Sequence, residues 1–194
     1  MELTPRATHE KEGYAVTEIH MGSHDGTHMD AGYHFFPDRP TLDKYPPDRF
    51  VGEGVIVDLR ASTADTAVPA HTFATALASA GGVSSGDFAI LWFGWDAHYG
   101  GELMWRNPYL SPEAARMLVE AGVTLVGTDA TNVDSSTSMS AFPVHEMLLG
   151  RDILIVENLC HLERLGTGRV TCAFLPLPLA GDGAPVRAVA WREA

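Results

Sequence analysis

Cysteine is nearly absent. Cys160 and Cys172 are the only two in 194 residues, too few to staple a domain of this length, and neither sits in a C-x-x-C spacing. Disulfide frameworks, thiolate zinc sites and dithiol redox centres are thereby set aside, and both thiols are expected to be reduced. Lysine is equally scarce: Lys11 and Lys44 stand beside eleven arginines, against 25 acidic residues, for a formal net charge of −12. Nucleic acid and anionic membrane are unexpected partners, because either needs a basic stripe to replace counterions. Small molecules or proteins fit better. No apolar run approaches the roughly 18 residues needed to span a bilayer, and the opening MELTPRATHEKEGYAV lacks the apolar stretch of a secretory leader. A soluble, cytoplasmic protein is expected. Repeats, low-complexity tracts and linkers are missing too, so residues 1–194 are expected to form one domain with a shared core.

What is present alternates between two periodicities. Tyr14 to Ile19, Val55 to Leu59, Phe88 to Phe93, Val123 to Val126, Ile153 to Val156 and Val170 to Phe174 are rich in β-branched and aromatic residues and read as strands. HTFATALASA (71–80) and SPEAARMLVEAG (111–122) read as helices, the second with Ser111 as N-cap, Pro112 at the first helical position and Gly122 as its stop. Strand following helix predicts an α/β fold with a mixed sheet. Asp129 and Glu157 each follow an apolar run, VTLVGT and DILIV, which places them at the C-terminal edge where open α/β sheets bind ligands.

The densest chemistry is HDGTHMDAGYH, residues 24–34, with three histidines and two aspartates in one short stretch. His24 and His28 could share a helix face, although Gly26 and Thr27 are poor helix formers. Were the stretch extended, its ends would lie ~33 Å apart, too far for one ion. The chain must bend, and Gly26 and Gly32 are the residues able to take unusual backbone angles. Neutral imidazoles with a carboxylate are the ligand set of a catalytic divalent ion that keeps a position open for water. An exposed polar loop is the plainer alternative. Further along, His145 on the predicted helix PVHEMLLG shares a face with Leu148 and Leu149, and Glu157 shares a strand face with Ile153 and Ile155. Both would point inward, where a buried glutamate needs a partner. A cation would serve both. Asp129 reads either as an orienting residue behind the site or as a turn residue.

HDGTHMDAGYHF resembles the HxGTHxDxPxHF signature of the bacterial kynurenine formamidase and "cyclase" family of metal-dependent hydrolases. The likeness runs on in register through VGEGVIVDLR, LSPEAARMLVEAGVTLVGTDATNVD, FPVHEMLLGRDILIVENL and FLPLPLAGDGAPVRAVA, from about residue 14 onward. The resemblance implies a swivelling β/β/α domain, commonly a homodimer or larger oligomer. It further implies that His24, His28 and Asp30 hold one metal, that Asp30 bridges to a second held by His145 and Glu157, and that His34 is the catalytic acid/base. Zinc is the expected ion, with manganese and iron(II) served by the same ligands.

Two departures from the family pattern bear on substrate. Gly32 stands where the pattern has proline, which frees the backbone two residues before His34. LWFGW (91–95) stands where family members usually carry arginine and threonine before Gly-Trp, removing a positive contact. With Phe35, Phe36, Trp92 and Trp95, this predicts an aromatic-lined pocket and an aromatic small-molecule substrate. Hydrolysis of an amide, formamide or lactone by metal-activated water, with His34 moving the proton, is the leading reading. A cyclase or dehydratase acting on a polyketide-like substrate and a non-catalytic metal-binding protein are the alternatives. The G-x-S-x-G run at 82–86 is set aside as a nucleophile site because a helix precedes Ser84 and a strand follows it, the reverse of a nucleophile elbow. The run DSSTSMS (134–140) lacks a lysine and the Walker glycine spacing, and reads as a mobile loop near the site. His9, His20, His71, His98, His161 and Cys160 are left out of the ligand set.

Overall fold

In the computed structural model, which describes residues 1–138 and 140–192, the chain forms eleven strands: β1 (Glu2–Ala7), β2 (Val16–His20), β3 (His28–Asp30), β4 (Val51–Asp58), β5 (Ala67–Val68), β6 (Phe88–Trp92), β7 (Tyr109–Leu110), β8 (Leu125–Thr128), β9 (Leu154–Glu157), β10 (Gly168–Pro176) and β11 (Gly183–Trp191). Four helices accompany them: α1 (His9–Glu12), α2 (Ala70–Ser79), α3 (Pro112–Ala121) and α4 (Pro143–Leu149). The expected mixed α/β architecture is present, but the sheet is not open. Seven strands close into a barrel in the order β10-β11-β3-β9-β8-β6-β4. Strands β4, β6, β8 and β9 run parallel, while β3, β10 and β11 complete the closure through antiparallel pairs.

The parallel strands are apolar on both faces because both faces are covered, as parallel sheets require. Ile56, Ile90, Leu125, Leu154 and Val156 turn into the barrel with Met29, Cys172 and Phe174. Val55, Val57, Leu91, Val126 and Ile155 turn outward beneath the helices, against Phe73, Leu118, Val144, Leu148 and Leu149. Helix α3 follows local rules closely. The Ser111 side chain accepts from the Ala114 N–H, Pro112 opens the helix, and Gly122 closes it at φ +76.

Two connections position the site. Gly26, at φ +69, turns the chain between His24 and β3. Gly32 takes no such angle and instead begins a short 3-10 turn, Gly32–His34. A Cβ there would lie 2.8 Å from the Arg39 Cβ, so glycine is required by the closeness of Arg39 rather than by backbone freedom. His34 is correspondingly held in place, its N–H donating to Ala31 O at 2.9 Å. Ser84 lies in a loop, its N–H donating to Asp87 Oδ2 at 2.8 Å, in keeping with its removal from the nucleophile candidates. Met139, within the run 134–140, lies outside the described residues.

Candidate metal centre

Side-chain alternation builds the centre. On β3, Met29 faces the barrel interior, so His28 and Asp30 face the opposite way. On the neighbouring β9, Leu154 and Val156 face in and Ile155 faces out, and Glu157 follows Ile155. His28 pairs directly with Glu157 and Asp30 with Ile155. His145 comes down onto the same outer face from α4. His28, Asp30, His145 and Glu157 are all buried, at 3%, 1%, 4% and 5% exposure. Four charged or ionisable side chains this deep require mutual partners or an ion.

The nitrogens and oxygens converge on Asp30. His24 Nδ1 lies 2.8 Å and His28 Nε2 3.3 Å from Asp30 Oδ1, and His145 Nε2 lies 3.6 Å from Oδ2. Glu157 reaches His28 Nε2 at 3.5 Å through Oε2 and His145 Nε2 at 3.4 Å through Oε1. Beside a group of His24, His34 and Asp182, two groups of potential ligands result, His24 with His28 and Asp30, and Asp30 with His145 and Glu157. Both include Asp30. Among the described residues, neither of its carboxylate oxygens accepts a well-directed hydrogen bond, although His24 Nδ1 stands 2.8 Å from Oδ1. A dehydrated carboxylate left in that state is costly unless a cation completes it, so the residues present fit a divalent ion, in one or both groups.

Each imidazole is held from behind. His24 Nε2 faces Asp182 Oδ2 at 2.8 Å, His28 Nδ1 faces Gly26 O at 2.9 Å, and His145 Nδ1 faces Asp134 Oδ2 at 2.8 Å. One ring nitrogen is thus anchored and the other is turned toward the carboxylates, which fixes tautomer and ring orientation as ligand histidines require. Asp134 does more: its carboxylate accepts the backbone N–H groups of Val144 and His145 and so caps the start of α4. Burial opposes charge on His24, but Asp30 and Asp182 outweigh it and raise its pKa to about 9. His145 is likewise raised well above the usual histidine value, burial being overcome by Asp134, Asp30 and Glu157. The acids demand positive charge at this spot.

His34 is different. It lies beside His24, ring centroids 4.2 Å apart, with Nδ1 3.5 Å from Asp182 Oδ2. Burial and the neighbouring His24 and His145 lower its pKa, against the pull of Asp30 and Asp182. A neutral imidazole at neutral pH can accept a proton.

A cavity of about 630 Å³ opens over the centre. Of the four aromatics expected at a pocket, only Phe35 lines it. Phe36 and Trp95 pack against the outer core, and Trp92 is in the barrel interior with the Arg60 guanidinium 3.8 Å from its ring centroid. Strand alternation sends Trp92 inside, and the turn after β6 draws Trp95 behind the wall, where its indole N–H donates to Met104 O at 3.2 Å. Tyr99, Met104, Trp105 and Phe142 line the cavity instead. Asp129 is a turn residue: its carboxylate gathers the backbone N–H groups of Phe93, Gly94 and Trp95. Sequence reasoning passed over Asp134 and Asp182. A lone aspartate in the polar run 134–140 and another in a Gly-Asp-Gly turn carry no local signal, since their partners are 11 and 158 residues away.

These features define a class. The sequence model of the Cyclase family, described as "Putative cyclase", matches residues 1–135, and the chain belongs to that family. Among individual proteins, it is 33% identical to the kynurenine formamidase of Salinibacter ruber over 189 residues, spanning 96% of this chain and 84% of that one. It is 24% identical to the isatin hydrolase of Roseibium aggregatum, spanning 88% and 72%. Its fold is similar to that of isatin hydrolase A from Labrenzia aggregata, solved with benzyl benzoate bound, at a TM-score of 0.90 and 23% identity over 97% of this chain and 82% of that one.

Proposed function

We propose that the protein is a metal-dependent hydrolase that cleaves a formamide or another amide, including a lactam, of a small aromatic molecule. The observation that carries this reading is Asp30, whose two buried oxygens accept no well-directed hydrogen bond while imidazoles and a second carboxylate surround them. The kinship to proteins named for formamide and isatin hydrolysis supports hydrolysis over cyclisation.

His24, His28 and Asp30 would hold one divalent ion, and His145, Glu157 and the shared Asp30 a second. Zinc is the first candidate, with manganese and iron(II) next. When bound, such an ion polarises a carbonyl and lowers the pKa of water toward neutrality. The chain's own residues do the rest. His34, neutral and at the cavity wall, takes a proton from the attacking water and returns it to the departing nitrogen. Asp182, facing both His24 and His34, keeps the two rings in register. Phe35 stacks on His145, centroids 5.2 Å apart, and screens the centre from bulk water.

The same reading takes residues 1–194 as one catalytic domain working in the cytoplasm as a homo-oligomer. Free Cys160 and Cys172 are consistent with a reducing compartment, and no helix among the described residues is long and apolar enough to cross a membrane. Among the described residues, strands β1 and β2 pair only with each other, with Leu3 and Ile19 exposed, and a lone two-stranded hairpin gains from a partner surface. Mass-spectrometric metal analysis together with turnover of N-formyl aryl amines and isatin-type lactams tests the proposal. Absence of bound metal, with turnover undiminished by chelation, refutes it.

A further inference from the structure

We infer that the cavity selects an aryl amide or lactam whose ring bears no carboxylate, and that it discriminates against the anionic congener. The inference rests on the hydrolase reading for the identity of the reacting bond and on the cavity wall for the rest. Beyond the imidazoles and acids, the wall consists chiefly of Phe35, Phe142, Tyr99, Met104 and Trp105. Phe35 and Phe142 meet edge to face at 5.8 Å, and Trp105 and Tyr99 are 57% and 56% exposed, leaving their rings free to cover an aryl group.

Among the described residues that line this cavity there is no lysine or arginine. The cations nearest in sequence are engaged elsewhere: Arg106 Nε donates to Asp65 at 2.7 Å, Arg39 donates to Gly150 O, and Arg151 reaches Met147 O. Several neutral polar groups of the wall are engaged as well, while the Tyr99 hydroxyl and the Trp105 indole N–H are uncharged donors. Thr131 donates to Met104 O, Asn158 donates to Gly26 O, and Asn132 Oδ1 accepts the Asp134 N–H. Among the described residues, the charged wall residue outside the proposed metal centre is Asp25, an acid, in a chain of net charge −12. A carboxylate on the ring, remote from the reacting carbonyl, would lose water against aromatic faces with no lysine or arginine to replace it. The positive charge of a bound ion does not offset this, because that charge acts at the opposite end of the molecule, on the bond to be cleaved.

The test uses the full chain, metal-free and reconstituted with zinc(II) or manganese(II). Tryptophan fluorescence measures binding of acetanilide and of 4-acetamidobenzoate, which differ by one carboxylate remote from the amide. Turnover is measured in parallel on formanilide and 4-formamidobenzoate. We expect the neutral ligand to bind at least about tenfold tighter in both forms of the protein, with kcat/KM following the same order. Met104→Lys, which adds a cation to the wall, should narrow the gap to within about threefold. Equal or tighter binding of the carboxylate, or no binding of either ligand, overturns the inference. If the preference for the neutral ligand holds while neither formamide is hydrolysed, the hydrolase reading falls and the selectivity of the wall stands.

Discussion

Strands β3 and β9 carry opposite chemistries on their two faces. Inward, Met29, Leu154 and Val156 fill an apolar barrel; outward, one residue away in each direction, His28, Asp30 and Glu157 belong to a buried polar cluster. A strand alternates sides at every residue, so a fixed frame and a reactive centre can be built back to back from seven positions. The inner face is non-directional and supplies stability, whereas the outer face depends on individual atoms and supplies chemistry. Damage to the two faces should therefore register in different measurements.

The largest effect should come from the outer face. Asp30→Asn removes the carboxylate common to both ligand groups, and turnover should be lost with metal affinity falling at both; His145→Ala should mainly weaken one. Calorimetric titration with zinc distinguishes them, and equal losses in the two variants would count against a shared ligand. His34→Ala should lower kcat by about 10²–10⁴-fold while metal content stays near wild type, because the ring is assigned to proton transfer. Loss of an ion in that variant would move His34 into the ligand set. On the inner face, Met29→Ala should cost about 2–5 kcal/mol in urea unfolding yet leave metal stoichiometry unchanged. If it strips the metal as readily as Asp30→Asn does, the two faces are not separable in this way.

Smaller effects sharpen the contrast. Asp134→Asn, behind His145, should weaken metal affinity by about 10–100-fold, detectable by competition with a chelating dye. The smallest concerns Asp129, whose pKa burial raises from the ordinary 3.8 to about 7 despite three backbone N–H donors. Its proton is held more tightly in the folded than in the unfolded state. The associated stability is full below pH 3.8, declines as pH rises, and is gone above about 7. Subtracting the urea midpoints of Asp129→Asn from those of the wild type across that window should reveal the decline, and a flat difference would overturn it.

What the sequence disclosed follows how local each cause is. Helix α3 was legible at both ends because Ser111, Pro112 and Gly122 act within a turn of themselves. The burial of His145 and of Glu157 was legible from their apolar neighbours on the same face. Strand β3 was not, because HMD has no β-branched residue; its extended form comes from being pinned between β9 and β11. The tail that forms β11 was legible only as part of a family resemblance, and with it went any sight of a closed barrel. Trp92 and Trp95 illustrate the remaining gap. Aromatic content was visible, but which side of the wall each ring occupies is set by strand alternation and by the turn that Asp129 gathers.

The closeness of Gly32 and Arg39 has a historical consequence. A proline at position 32, as the family pattern carries, would bring a Cβ against the Arg39 side chain, so the two positions are coupled and their substitutions are not additive. Because the nearest atom is the Cβ of residue 39, shortening Arg39 to alanine would not open the space, and proline at 32 requires glycine at 39 or a shift of the backbone first. The order of change, and not only its content, is thereby constrained.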